Sequence, residues 1–140
     1  MSARLARPTV NTPFHISLDW WQRTRQDFMS HLREAACGDC QKRYPLDGAL
    51  SQIDFIDPHT AEVRRLNSLW QCLIETCSQQ PDYYSPELPL ATALFRALVA
   101  RGNSPLTPTE MQTVIGRSNP QTILRVLTGP TAILGIVPAE

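Results

Sequence analysis

Hydrophobic side chains recur every three or four residues in the N-terminal half of the chain, a spacing typical of helices that bury one face. The first such stretch begins after Ser17, a good N-cap residue, and runs into Cys37. The second follows Asp57 and Pro58 and extends to Ser78. The predicted buried stripes are Trp21, Phe28, Leu32 and Ala35 in the first helix and Leu66, Leu69, Trp70, Leu73 and Cys77 in the second.

Three shorter helices are predicted in the C-terminal part, over 88–101, 108–115 and 120–128. The middle one begins with a capping box formed by Thr107 and Glu110, with a proline at its first helical position. Gly116 ends that helix, and Asn119 opens the last one. Alternating polarity predicts only two short strands, over 53–56 and 133–137, so the expected fold is mainly α.

Proline and polar residues divide the chain into segments. Residues 1–15 are expected to form a flexible arm, and residues 16–80 a helical unit that carries the cysteines. The proline-rich stretch 79–89 is the predicted boundary, after which residues 88–140 form a second unit. In this interpretation, an N-terminal helical pair with a cysteine motif packs beside a C-terminal three-helix unit.

The C-terminal helices resemble the helix-turn-helix unit of winged-helix domains, with residues 131–138 as a strand or short wing. Gln112 departs from the family pattern, which usually has a small residue there, and Arg117 stands where an apolar residue is usual. The resemblance implies that the last helix is a recognition helix that contacts phosphates or base edges of duplex DNA. The implied DNA-binding residues are Arg117, Ser118, Gln121, Thr122 and Arg125.

The charge balance bears on this expectation. Thirteen basic residues match thirteen acidic ones, whereas proteins dedicated to nucleic acids usually carry excess positive charge. Residues 91–139 nevertheless contain four arginines against the single acidic residue Glu110, so a modest basic face is compatible with overall neutrality. Two alternatives therefore stay open: binding of duplex DNA, or a protein-protein interaction module that contacts another protein or a second copy of the chain without DNA.

The four cysteines suggest a metal site. Cys37 and Cys40 lie two residues apart around a turn, where both thiolates can reach one ion. Cys72 and Cys77 lie five residues apart, a rotation of about 140° on a regular helix, so the helix must end between them for both to join the site. Structural zinc is the default ion and an iron-sulfur cluster the less favoured one.

The four cysteines allow two other interpretations. One is a pair of core cysteines together with an exposed pair. The other is a redox pair at Cys37 and Cys40, which is disfavoured because the motif is expected at a helix C-terminus, where the dipole opposes a thiolate.

Several function classes receive no support. No nucleophile, base and orienting group form a credible constellation, so we expect no enzyme. His15, His31 and His59 have no ligand spacing to the cysteines. Without an apolar run of about 20 residues, no membrane partner is expected, and a cytoplasmic location is predicted. The expected function is that of a small regulatory or adaptor protein.

Overall fold

The computed structural model describes residues 7–45, 48, 50–58 and 60–139. The elements in chain order are β1 (Phe14–Ile16), α1 (Leu18–Arg23), α2 (Phe28–Ala35), α3 (Gly38–Arg43), β2 (Gln52–Ile56), β3 (Val63–Asn67), α4 (Ser68–Glu75), a 3₁₀ turn (Cys77–Gln79), α5 (Leu90–Ala100), α6 (Pro108–Ile115), α7 (Pro120–Leu127) and β4 (Ile136–Pro138). Within the described ranges there are seven α-helices, and 45% of those residues are helical. Together with two small antiparallel sheets they give a mixed α/β fold, which corrects the expectation of a mainly α protein.

The predicted first helix is in fact two helices. Arg25 adopts a left-handed backbone conformation, with φ 59°, between α1 and α2. Asp27 then caps α2, because its carboxylate accepts hydrogen bonds from the Ser30 N–H at 3.3 Å and the Ser30 hydroxyl at 2.7 Å. Trp21 and Leu32 are both buried, so the apolar stripe was predicted correctly although the break was not.

The predicted second helix was wrong in its first part. Residues 63–67 form β3, which pairs antiparallel with β2 and places Ile53 opposite Leu66. The turn between these strands is held by Asp57, whose N–H donates to Glu62 O and whose carbonyl accepts from the Ala61 N–H, each at 2.8 Å. The α4 helix starts only after Asn67, which accepts the Trp70 N–H at 2.8 Å. The predicted strand at 53–56 is confirmed.

The predictions for the C-terminal helices are confirmed within two residues. Thr107 and Glu110 form the predicted capping box, and Gly116 ends α6 with φ 74°. The Asn119 side chain caps α7 by accepting the Thr122 N–H at 2.8 Å. The last strand, β4, begins three residues later than predicted, at Ile136.

The N-terminal residues join the C-terminal ones. The arm predicted for residues 1–15 ends in β1, which pairs antiparallel with β4, and residues 1–6 lie outside the described part of the chain. Phe14 is fully buried and its N–H donates to Leu106 O at 2.8 Å. The division into units 16–80 and 88–140 stays a prediction. Buried side chains from both ranges, however, belong to one hydrophobic cluster.

Two contacts connect the β2–β3 hairpin and α4 to α5 and the loop that follows α5. Trp70 in α4 donates from its indole Nε1 to Val99 O at 2.8 Å. The buried carboxylate of Asp57 accepts a short hydrogen bond from the Ser104 hydroxyl and pairs with Arg64 at 3.2 Å. The first of these contacts positions α4, which carries Cys72. Among the described residues, no helix has the length and apolar character required to span a bilayer.

Candidate thiol and metal site

The Cys37–Cys40 motif opens a helix and does not close one. Ala36 leaves α2 with an extended ψ of 146°, and Cys37, also extended, is the N-cap residue of α3. Cys40 lies inside α3 and is fully buried. Our reason for discounting a redox role, a position at a helix C-terminus, was therefore wrong.

Cys72 and Cys77 are separated by a break in helical structure. Cys72 belongs to α4, which ends at Glu75, and Cys77 begins the 3₁₀ turn. Thr76 lies between them with φ −117° and ψ −61°. This is the loss of regularity that a shared site requires, since a continuous helix would direct the two thiols about 140° apart.

The sulfur atoms meet where α3, α4 and the 3₁₀ turn come together. Cys40 and Cys72 form a disulfide across 32 residues of sequence, whereas Cys37 and Cys77 are free thiols. The sulfurs of Cys37, Cys40 and Cys77 all lie within 4.8 Å of one another. These three residues are thus close enough to bind a metal ion, and the fourth predicted ligand, Cys72, is bonded to one of them.

The two free thiols differ in environment. Burial raises the pKa of the Cys77 thiol to about 11. Burial also acts to raise the pKa of Cys37, but hydrogen bonds from the Cys40 N–H and from the Cys77 thiol outweigh it, so the net shift is downward. The Cys37 N–H in turn donates to the Cys77 sulfur at 2.8 Å. Because the thiolate is the nucleophile and the metal ligand, Cys37 is the more reactive sulfur of the two.

A cavity of about 170 Å³ opens beside both free thiols. Its wall includes Arg96, whose guanidinium lies 5.3 Å from the centre of the Tyr83 ring and donates to Tyr83 O at 3.0 Å. The Tyr83 hydroxyl donates back to Arg96 O at 2.8 Å. The Arg96 Nε is buried and has no hydrogen-bond partner in the described part of the chain. Glu34 and Asp82 also contribute to the wall.

Two of the residues predicted to contact DNA, Arg117 and Ser118, precede α7, and the other three, Gln121, Thr122 and Arg125, lie within it. Gln121 and Arg125 are exposed, one turn apart, while Ile123 and Leu127 of the same helix are buried. Ser118 is exposed and Thr122 is partly buried. Arg117 is engaged elsewhere: its guanidinium donates to Pro86 O at 2.8 Å and to Leu88 O at 2.6 Å, which ties the start of α7 to the proline-rich segment.

The sequence did not indicate the roles of Arg96 and Tyr83. Arg96 lies 59 positions after Cys37 in the sequence, and no local motif joins the two. His59, which we assigned to no site, lies outside the described residues.

Compared with known proteins, the chain matches no protein family, no curated protein and no solved structure. The functional argument therefore depends on the geometry of its own residues.

Proposed function

We propose that the chain is a small, non-enzymatic regulatory or adaptor protein in which Cys37, Cys40, Cys72 and Cys77 hold one structural zinc ion when reduced. The observation that carries this proposal is the convergence of three sulfurs within 4.8 Å, with the fourth cysteine bonded to one of them. An all-thiolate donor set suits zinc, and closed four-cysteine sites are structural, not catalytic.

The distances support this proposal. Zinc–sulfur bonds of about 2.3 Å in a tetrahedron place sulfur atoms about 3.8 Å apart. The observed limit of 4.8 Å is about 1 Å longer, a difference that small side-chain rotations can remove. Reduction of the Cys40–Cys72 disulfide supplies the two remaining thiolates. The ion would then join α3 to α4 and the 3₁₀ turn, and Cys40 and Cys72 in these elements are 32 positions apart in the sequence.

We predict that protein purified under reducing conditions carries one zinc ion per chain and is colourless. Elemental analysis of the purified protein measures the ion, and an absorption spectrum distinguishes zinc from an iron-sulfur cluster, which would colour the sample. Replacing any of the four cysteines with serine should lower the zinc content sharply, because a closed site then loses one of its four ligands.

The Cys72→Ser variant is the decisive one. A site made only of Cys37, Cys40 and Cys77 would keep its zinc in this variant, whereas a four-cysteine site would not. The exposed Thr113→Ser change, which leaves every cysteine in place, is the matched control. Absence of stoichiometric metal from the reduced wild-type protein would rule out the proposal.

A second candidate function, binding of duplex DNA, is favoured by the exposed pair Gln121 and Arg125 on α7. In the major groove, a glutamine side chain can form two hydrogen bonds with adenine, and an arginine side chain can form two with guanine. Arg117 adds little to this surface because its guanidinium already donates to two backbone carbonyls. The basic surface is therefore smaller than the sequence alone suggested.

If α7 contacts a groove, replacing Gln121 or Arg125 with alanine should weaken binding to a preferred sequence by about 1–3 kcal/mol. Arg101→Ala, at the end of α5, should weaken binding to all sequences alike, as loss of a phosphate contact does. Retention of genomic duplex fragments at about 50 mM salt, where electrostatic binding is favoured, is the first assay. If no fragment is retained, a protein-protein interaction module becomes the better proposal.

A further inference from the structure

We infer that Cys37 and Cys77 form a peroxide-oxidised thiol pair: Cys37 reacts with a small hydroperoxide in the adjoining cavity, and Cys77 then closes a second disulfide. This inference goes beyond the proposed zinc site. It concerns the form of the protein in which the Cys40–Cys72 disulfide is already closed, so it holds whether or not the reduced protein binds zinc.

The arrangement of the four cysteines leaves one available pairing. Cys40 and Cys72 are already joined, so Cys37 and Cys77 are the two thiols that remain. Their sulfurs lie within 4.8 Å of each other, and the Cys37 N–H donates to the Cys77 sulfur at 2.8 Å. Closing this pair therefore needs a short approach of two side chains and no rearrangement of the elements that carry them.

Exposure assigns different roles to the two thiols. Cys37 is partly exposed, whereas Cys77 is only 1% exposed. An oxidant arriving from solvent meets Cys37 first, and susceptibility to oxidation follows accessibility. Cys77 lies behind it, in the position of a resolving thiol that attacks the oxidised sulfur from inside the protein.

The cavity beside the thiols is large enough for a small oxidant. Its volume of about 170 Å³ is smaller than the roughly 300–1,000 Å³ of pockets that hold drug-sized ligands. Hydrogen peroxide fits such a space, whereas a peptide disulfide does not. Arg96 in the wall places a guanidinium cation beside the space that the peroxide would occupy. The two free thiols line the same small cavity, and that coincidence carries the inference.

The chemistry balances without a further reactant. The Cys37 sulfur attacks one oxygen of the hydroperoxide, the O–O bond breaks, Cys37 becomes a sulfenic acid and the remaining oxygen leaves as an alcohol or, from hydrogen peroxide, as water. The Cys77 sulfur then attacks the Cys37 sulfur, the S–O bond breaks and water leaves. In sum, two thiols are oxidised to one disulfide by two electrons, and the hydroperoxide accepts those electrons.

The test uses the full chain, purified without reductant and in the presence of a chelator, so that metal plays no part. Hydrogen peroxide is added in equal amount, remaining thiols are alkylated, and disulfide-linked peptides are mapped by mass spectrometry without reduction. We expect loss of both free thiols and a new peptide pair that links Cys37 to Cys77, with the Cys40–Cys72 link unchanged. A link between Cys37 and Cys40, or two thiols that survive the treatment, would overturn the inference.

Variants separate the two steps. In Cys77→Ser, Cys37 should accumulate as a sulfenic acid that a dimedone probe labels, since its resolving partner is gone. In Cys37→Ser, the buried Cys77 should keep its thiol. If Cys77 in that variant reacted with peroxide as fast as Cys37 does in the wild-type protein, the assigned order would be contradicted. Thermal unfolding shows whether each variant is folded. The zinc content of the reduced protein is measured separately. If the zinc proposal fails, the disulfides expected in the oxidised protein stay the same, and if those disulfides are not found, the zinc proposal is unaffected.

Discussion

Replacing Trp70 with alanine is expected to lower the free energy of unfolding by about 3–5 kcal/mol, the usual cost of deleting a large buried aromatic side chain. Trp70 is 3% exposed, and its ring lies 5.4 Å from that of Phe28, centre to centre. The same residue donates from its indole to Val99 O at 2.8 Å and so joins α4 to α5. Urea denaturation followed by circular dichroism measures the change.

The Trp70→Phe variant is the matched control. It keeps most of the aromatic surface but removes the N–H donor. The Val99 carbonyl still accepts the Gly102 N–H at 3.1 Å, so the lost hydrogen bond should cost about 0.5–1.5 kcal/mol. The alanine variant should therefore be clearly less stable than the phenylalanine variant. Equal stability of the two would mean that the hydrogen bond, and not the packing of the ring, provides the contribution of Trp70.

Replacing Gly102 with alanine is expected to cost about 2–5 kcal/mol of stability, from two sources. Gly102 has φ +64°, a left-handed conformation that costs a residue with a side chain about 1–2 kcal/mol. A Cβ atom at this position would also lie under 3.0 Å from three carbons of the Phe55 ring, and such crowding costs about 1–3 kcal/mol. Denaturation with urea measures the total.

Gly116 provides the control for the backbone term. It has φ +74°, but a Cβ there would have nothing within 4 Å. Gly116→Ala should therefore cost only about 1–2 kcal/mol. Combining Gly102→Ala with Phe55→Leu should cost less than the sum of the two single changes, because the shorter side chain relieves the crowding. If the costs were additive, the Phe55 ring would not lie as close to Gly102, just after α5, as the structure shows.

The predictions that succeeded depend on residues close together in sequence. The capping box at Thr107, the proline at the start of α6 and the glycine at its end act within one or two helical turns. The apolar spacing of Trp21 and Leu32 likewise placed both residues in the core. By contrast, the sequence did not locate the break at Arg25, because the apolar stripe continues on both sides of it. The break is visible only in the backbone, where Asp27 caps the start of a new helix, α2.

The second predicted helix failed for a different reason. Residues 63–67 include Val63, Arg64 and Leu66, which fit either a helix or a strand on pattern alone. Their pairing with β2 decides for the strand, and so does the position of Arg64, which meets the buried Asp57 carboxylate. Both contacts join residues 63–67 to residues on the other side of the turn between β2 and β3, so the pattern within 63–67 alone does not reveal them.

Of the thiol site, the sequence alone determined the four ligands proposed for zinc and the condition that the helix must end before Cys77. It also determined the caps and apolar stripes of the C-terminal helices, since these depend on neighbours within a few residues. Only the tertiary structure decided that Cys40 pairs with Cys72, that the Cys37–Cys40 motif opens α3 and that Arg96 and Tyr83 form the wall beside the free thiols. Cys40 and Cys72 are 32 positions apart, and Arg96 lies 59 positions after Cys37, so the packing of whole helices, and not a local preference, brings these residues together.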